Sequence, residues 1–109
     1  MTPERIDAVF SALSDPTRRA VIRSLSEDGP STVTELASRL PVTRQAVAKH
    51  LDALENAGLV STTVSGRSRR YRLTPRPMTE AVAWMTEVGA EWDERLDALR
   101  RLFPRSSRR

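Results

Sequence analysis

Apolar positions in this chain run first at helical spacing, then at alternation, then at helical spacing again. Ile6, Val9, Phe10 and Leu13 recur at three- and four-residue steps, with Glu4 and Asp7 toward the start, which predicts a short amphipathic helix. Ser14-Asp15-Pro16 then supplies a cap and a first-turn proline. A second helix follows with Val21, Ile22 and Leu25 on one face, ending near Ser26 ahead of the turn Glu27-Asp28-Gly29-Pro30. Thr32-Val33-Thr34-Glu35 reads as a capping box for a third helix that stops at Leu40-Pro41. Two residues later Thr43 offers another N-cap, and Val47, Leu51 and Leu54 carry a fourth helix to Ala57-Gly58, where Gly58 can take the left-handed conformation. A short helix, a tight turn and a longer helix form a helix-turn-helix pattern.

After Gly58 the period drops to two. Leu59 to Val64, the turn Ser65-Gly66-Arg67-Ser68, and Arg69 to Leu73 predict a β-hairpin, in which Tyr71 and Leu73 face the core. Thr74-Pro75-Arg76-Pro77 breaks the chain, and a long helix is expected from about Met78 to Phe103. The predicted fold is mainly α with a small β-hairpin, in the order α-α-α-α-β-β-α. Residues 1–103 form one domain in this reading, and 104–109 a disordered basic tail.

At 100° per residue, Ala46, Val47, His50, Leu51, Leu54 and Ala57 fall on one half of the fourth helix. The other half carries Arg44, Gln45, Ala48, Lys49 and Asp52. Gln pairs with an adenine edge, Arg with guanine or phosphate, and Ala approaches a thymine methyl, so this face suits a major groove entered by the helix's N-terminal end. His50 flanks the core stripe and reads as a structural, hydrogen-bonded histidine.

Charge sharpens this picture. The net charge of the 109 residues is +4, from 18 Lys+Arg and 14 Asp+Glu. Residues 1–58 sum to −1, residues 59–77 to +5 and residues 78–109 to 0, so the excess lies in and just after the hairpin. Arg67, Arg69 and Arg70 at its tip would meet phosphates or the minor groove, which makes the hairpin a wing. The same arginines would also suit an acidic protein surface, leaving an interaction module as the alternative. With no cysteine and only His50, thiolate metal sites, Fe–S clusters and disulfides are excluded, and no catalytic set can be assembled. No cofactor is expected. The N-terminus lacks a signal-peptide pattern, which places the protein in the cytoplasm, and no apolar run suits a membrane.

In the last helix Met78, Val82, Met85, Gly89, Trp92, Leu96, Leu99 and Phe103 alternate steps of four and three, a heptad seam longer than this small domain needs. A homodimer is expected, with Met85, Gly89, Trp92, Leu96 and Leu99 meeting the partner beside Ile6, Val9, Phe10 and Leu13 of the first helix. Bare backbone at Gly89 would let two helices approach closely.

The runs LSDPTRRAVIRSL (13–25), TELASRLPVTRQAVAKHLDALENAGLV (34–60) and SGRSRRYRL (65–73) resemble the ArsR family of bacterial winged helix-turn-helix repressors over about residues 5–75. The resemblance implies a homodimer on an inverted-repeat operator in double-stranded DNA. Thr43, Arg44, Gln45 and Lys49 would then face DNA, and the hairpin at Gly66-Arg67 would be the wing; Thr32 and Ala48 are expected to contact DNA as well. Metal-responsive members carry Cys or His ligands where this chain has Glu35-Leu36-Ala37-Ser38-Arg39 and a His-free last helix. The resemblance is therefore to the metal-independent branch, and it names no inducer.

Overall fold

In a computed structural model, which describes residues 3–102 excepting the side chains of Leu96, Leu99, Arg100 and Leu102, the element order is α1 (Pro3–Leu13), α2 (Pro16–Asp28), α3 (Val33–Arg39), α4 (Arg44–Asn56), β1 (Val60–Ser65), β2 (Ser68–Leu73) and α5 (Arg76–Leu102). This is the predicted order, and the helix boundaries follow from local chemistry. Asp15 Oδ1 accepts the amides of Thr17 and Arg18 at 2.7 and 3.1 Å, opening α2. The reciprocal box of Thr32 and Glu35 opens α3, and the Thr43 hydroxyl accepts the Ala46 amide to open α4. At the end of α4, Gly58 at φ +77° lets its amide reach the Glu55 carbonyl while Leu59 reaches Leu54, a Schellman closure that turns the chain into β1.

The strands shift slightly from the sequence expectation, since Ser65 and Ser68, expected in the turn, pair as strand ends and Leu59 lies before β1; two helix boundaries also differ. Helix α2 continues two residues past Ser26 to Asp28, whose carboxylate receives the Ser24 hydroxyl at 3.2 Å. Helix α5 begins at Arg76 rather than Met78, because Pro77 occupies the first turn, where a missing amide costs no helical bond. Phe103 and the expected tail at 104–109 lie outside the described residues.

Strands β1 and β2 pair antiparallel from Val60 with Leu73 to Ser65 with Ser68, joined through Gly66 at φ +61° and Arg67. The sequence pattern did not disclose a second pairing: Ser31 exchanges backbone bonds of 2.9 and 2.8 Å with Tyr71, adding one bridge to the free edge of β2. Buried Val9, Ala12, Val21, Leu25, Leu36, Val47, Leu51, Leu54, Leu59, Val60, Tyr71 and Ala81 form a continuous core, each large side chain contributing about 1.5–3 kcal/mol. That core fixes α4 and the base of the hairpin on one body.

Helix α1 divides its apolar residues differently from the expected single outward stripe. Ile6, Val9 and Ala12 point inward, and Val9 is 0% exposed. Val9 therefore cannot touch a partner and is a core residue rather than an interface residue, while Ile6, at 9%, lines a surface cavity beside Phe10 and Trp84. Phe10 and Leu13 are half-buried and remain available at the surface. Helix α5 likewise has two stripes. Pro77 and Ala81 are buried, Trp84 meets Phe10 edge-on at 6.0 Å, and Arg5 pairs with Glu80 at 3.6 Å. The adjoining seam points away: Val82, Met85 and Trp92 are 56%, 45% and 55% exposed. Arg95 stacks over the Trp92 ring at 5.5 Å. The Leu96 and Leu99 side chains lie outside the described set.

Candidate nucleic-acid interface

Helix α4 turns its charged half to solvent because Val47, Leu51 and Leu54 are fully buried on the other half. Thr43, Arg44, Gln45 and Lys49 are exposed, and Ala48 among them is half-buried. Among the described residues no hydrogen bond or ion pair engages the side chains of Arg44, Gln45, Lys49, Arg67 or Arg69. These groups are free to bond to an incoming ligand without first losing a protein partner.

A groove of about 510 Å³ is lined by Thr32, Val33, Thr34, Ser65, Arg67, Ser68, Arg69 and Tyr71, so the start of α3 faces the tip of the hairpin. The structure thus brings Thr32 together with Arg67 and Arg69. Thr32's hydroxyl accepts the Glu35 amide at 3.1 Å, which leaves its hydrogen available to an acceptor such as a phosphate oxygen.

Arg70 departs from its expected place with the free tip arginines. Its Nη1 donates to Glu35 Oε1 at 3.0 Å and to the Pro30 carbonyl at 3.4 Å, tying β2 to α3. Arg72 is also engaged, with Nε donating to the Ser61 hydroxyl across the hairpin at 3.1 Å. The net charge of the hairpin therefore overstates the cation available to a ligand.

Two further sets of polar contacts hold the frame and carry no sequence signature. Arg39 Nη1 donates to the Ser31 hydroxyl at 2.9 Å and the Ser24 hydroxyl at 3.3 Å, and lies 3.6 Å from Asp28. Arg18 and Arg19 donate to the carbonyls of Ser11 and Leu13, closing the end of α1. Both are contacts of the tertiary fold, invisible to periodicity. His50 is half-buried, and among the described residues no hydrogen bond engages its ring, contrary to the hydrogen-bonded histidine expected from the sequence.

The caps make stability depend on acid. The Arg18 amide first, then the Thr17 amide and the charges of His50 and Arg18, hold the Asp15 carboxyl below its ordinary 3.8 against opposing desolvation. The Thr32 amide first, with the Arg70 guanidinium after it, holds Glu35 below 4.5, again against desolvation. A carboxylate depressed in the folded state contributes stability that is complete above its unfolded value and disappears as pH falls through the folded one. Urea midpoints should thus hold from neutrality to about pH 4.5 and then fall. Asp15→Asn and Glu35→Gln, which keep a capping acceptor, should each flatten that fall, and an unchanged acid limb in both would contradict the assignment.

Comparison with known proteins gives this geometry its relatives. A family model described as a helix-turn-helix domain matches residues 13–63, which contain α3 and α4. The uncharacterized HTH-type transcriptional regulator YuzN of Bacillus subtilis is 48% identical over 73 residues, covering 62% of this chain and 76% of that protein. The HTH-type transcriptional regulator Rv2034 of Mycobacterium tuberculosis is 40% identical over 97 residues, 89% of this chain and 87% of that protein. Among solved structures, an ArsR-like transcriptional regulator from Rhodococcus sp. RHA1 superposes with a TM-score of 0.84 at 40% identity, covering 92% of this chain and 93% of the other.

Proposed function

Because this chain belongs to the ArsR family of winged helix-turn-helix transcriptional regulators, we propose that it represses its target genes as a homodimer seated on an inverted-repeat operator. The protein is a DNA-binding transcriptional regulator and not an enzyme. The finer reading rests on the exposed set Arg44, Gln45 and Lys49, without partners among the described residues, on a helix whose opposite face is locked in the core. In this reading α4 enters the major groove by its N-terminal end, and Asp52 and Glu55, further along the exposed side, stay clear of the phosphates. Arg67 and Arg69 neutralise phosphates beside it.

The outward seam of α5, from Val82 through Met85 and Gly89 to Trp92, together with Phe10 and Leu13, supplies the dimer contact. Among the described residues, and apart from its own helix, nothing lies within 4 Å of a Cβ placed on Gly89, so another helix has room to approach there. No small-molecule inducer or metal enters this reading. Selection of bound fragments from genomic DNA should return a pseudo-palindrome upstream of a gene, and Gln45→Ala should relax base preference at one symmetric pair of positions by about 1–3 kcal/mol. Recovery of fragments without a common motif would sink the operator reading.

A further inference from the structure

The hairpin is fixed to the body at its base and free at its tip, and one ion pair stands at the boundary. Val60 and Tyr71 are buried and Leu73 is half-buried, whereas Thr63, Val64, Ser65, Gly66, Arg67 and Arg69 are exposed. Arg70 lies between these regions, bonded through Nη1 to Glu35 at 3.0 Å. The same Glu35 oxygen, Oε1, accepts the Thr32 amide at 2.9 Å in the capping box of α3. The carboxylate is therefore oriented by the helix start itself, and the wing docks on a group already held in place.

We propose that Glu35 is a positioning residue for DNA binding, which fixes the angle of the wing to the helix-turn-helix through Arg70 without touching DNA. The inference rests on the reading of Arg67 and Arg69 as phosphate contacts. From the Ser31 bridge at Tyr71 to Arg67 the hairpin extends about 13 Å, so a rotation of about 10° there moves the tip by about 2.3 Å. That displacement exceeds what a hydrogen bond to phosphate tolerates. Both partners of the pair are partly exposed, so its direct contribution to stability is small. Its effect is to reduce the orientational freedom that the wing would otherwise lose on binding.

Glu35→Gln separates the two duties of this side chain, because glutamine also closes a capping box but does not neutralise Arg70. Operator affinity and its salt dependence are measured for the native protein, Glu35→Gln, Arg67→Ala/Arg69→Ala and the triple variant. Glu35→Gln alone should weaken binding about fivefold with a shallower salt slope, and should add nothing once the tip arginines are gone. Thermal melts accompany each measurement, and Arg70→Gln, which leaves the cap intact, stands in if Glu35→Gln fails to fold. An equal loss in both arginine backgrounds overturns the proposal, as does native affinity in Glu35→Gln. Should Arg67→Ala/Arg69→Ala itself bind like the native protein, the wing reading falls and the inference with it.

Discussion

Met85→Arg/Trp92→Arg is expected to give a folded monomer whose operator affinity is lower by about two to four orders of magnitude, because the second half-site no longer benefits from the effective concentration that a dimer provides. The size of the effect follows from where these side chains lie. Met85 and Trp92 are 45% and 55% exposed within one chain, so charging them removes little of the protomer's own packing. Two arginines on each copy would face each other across a twofold axis, where desolvated like charges are strongly unfavourable. Ala81 and Pro77, one stripe away, hold α5 on its own domain and are untouched. Sedimentation should show a dimer for the native protein at micromolar concentration and a monomer for the variant, with circular dichroism and melting little changed. A native monomer, or a variant that remains dimeric, would rule out the seam as the interface.

The two stripes of α5 also show how far the sequence could be read. Heptad spacing of Met78, Val82, Met85, Gly89 and Trp92 marks an apolar seam, and the structure leaves Val82, Met85 and Trp92 of that seam exposed. Spacing alone does not say which side of a broad apolar face its own domain covers. In α1 this ambiguity misplaced Val9, since Ala12, too small to stand out in a hydrophobic pattern, aligns with it on the inward face. Local signals were more decisive: Asp15, Thr32 with Glu35, Thr43 and Gly58 each act through atoms a few residues away, so their caps and turn are legible in order. The exposed face of α4 was legible for the same reason, because Val47, Leu51 and Leu54 orient that helix by themselves. Arg70 was not. Its partner lies 35 positions earlier, and the bridge between Ser31 and Tyr71, with Arg39 bracing Ser31, brings that strand against α3.

Arg67→Ala/Arg69→Ala is expected to weaken binding to all DNA sequences alike and to flatten its salt dependence. If each arginine displaces counterions from one phosphate on both wings of a dimer, the logarithmic slope against salt falls by about 3.6. Between 50 and 200 mM salt the variant would then lose about a hundredfold less affinity than the native protein over the same interval. Both side chains are exposed and have no partner among the described residues, so their removal leaves no buried group unsatisfied and the melting temperature should not move. The result separates the wing from α4. Gln45→Ala should change which bases are preferred and leave the slope in place, whereas the wing variant should change the slope and leave the preferred bases in place. Unaltered slope in the arginine variant would mean that the groove between Thr32 and Arg69 lies off the DNA path. Glu35 and Arg70 would then have no tip contact to position, while the reading of α4 as the recognition helix would stand on its own exposed face.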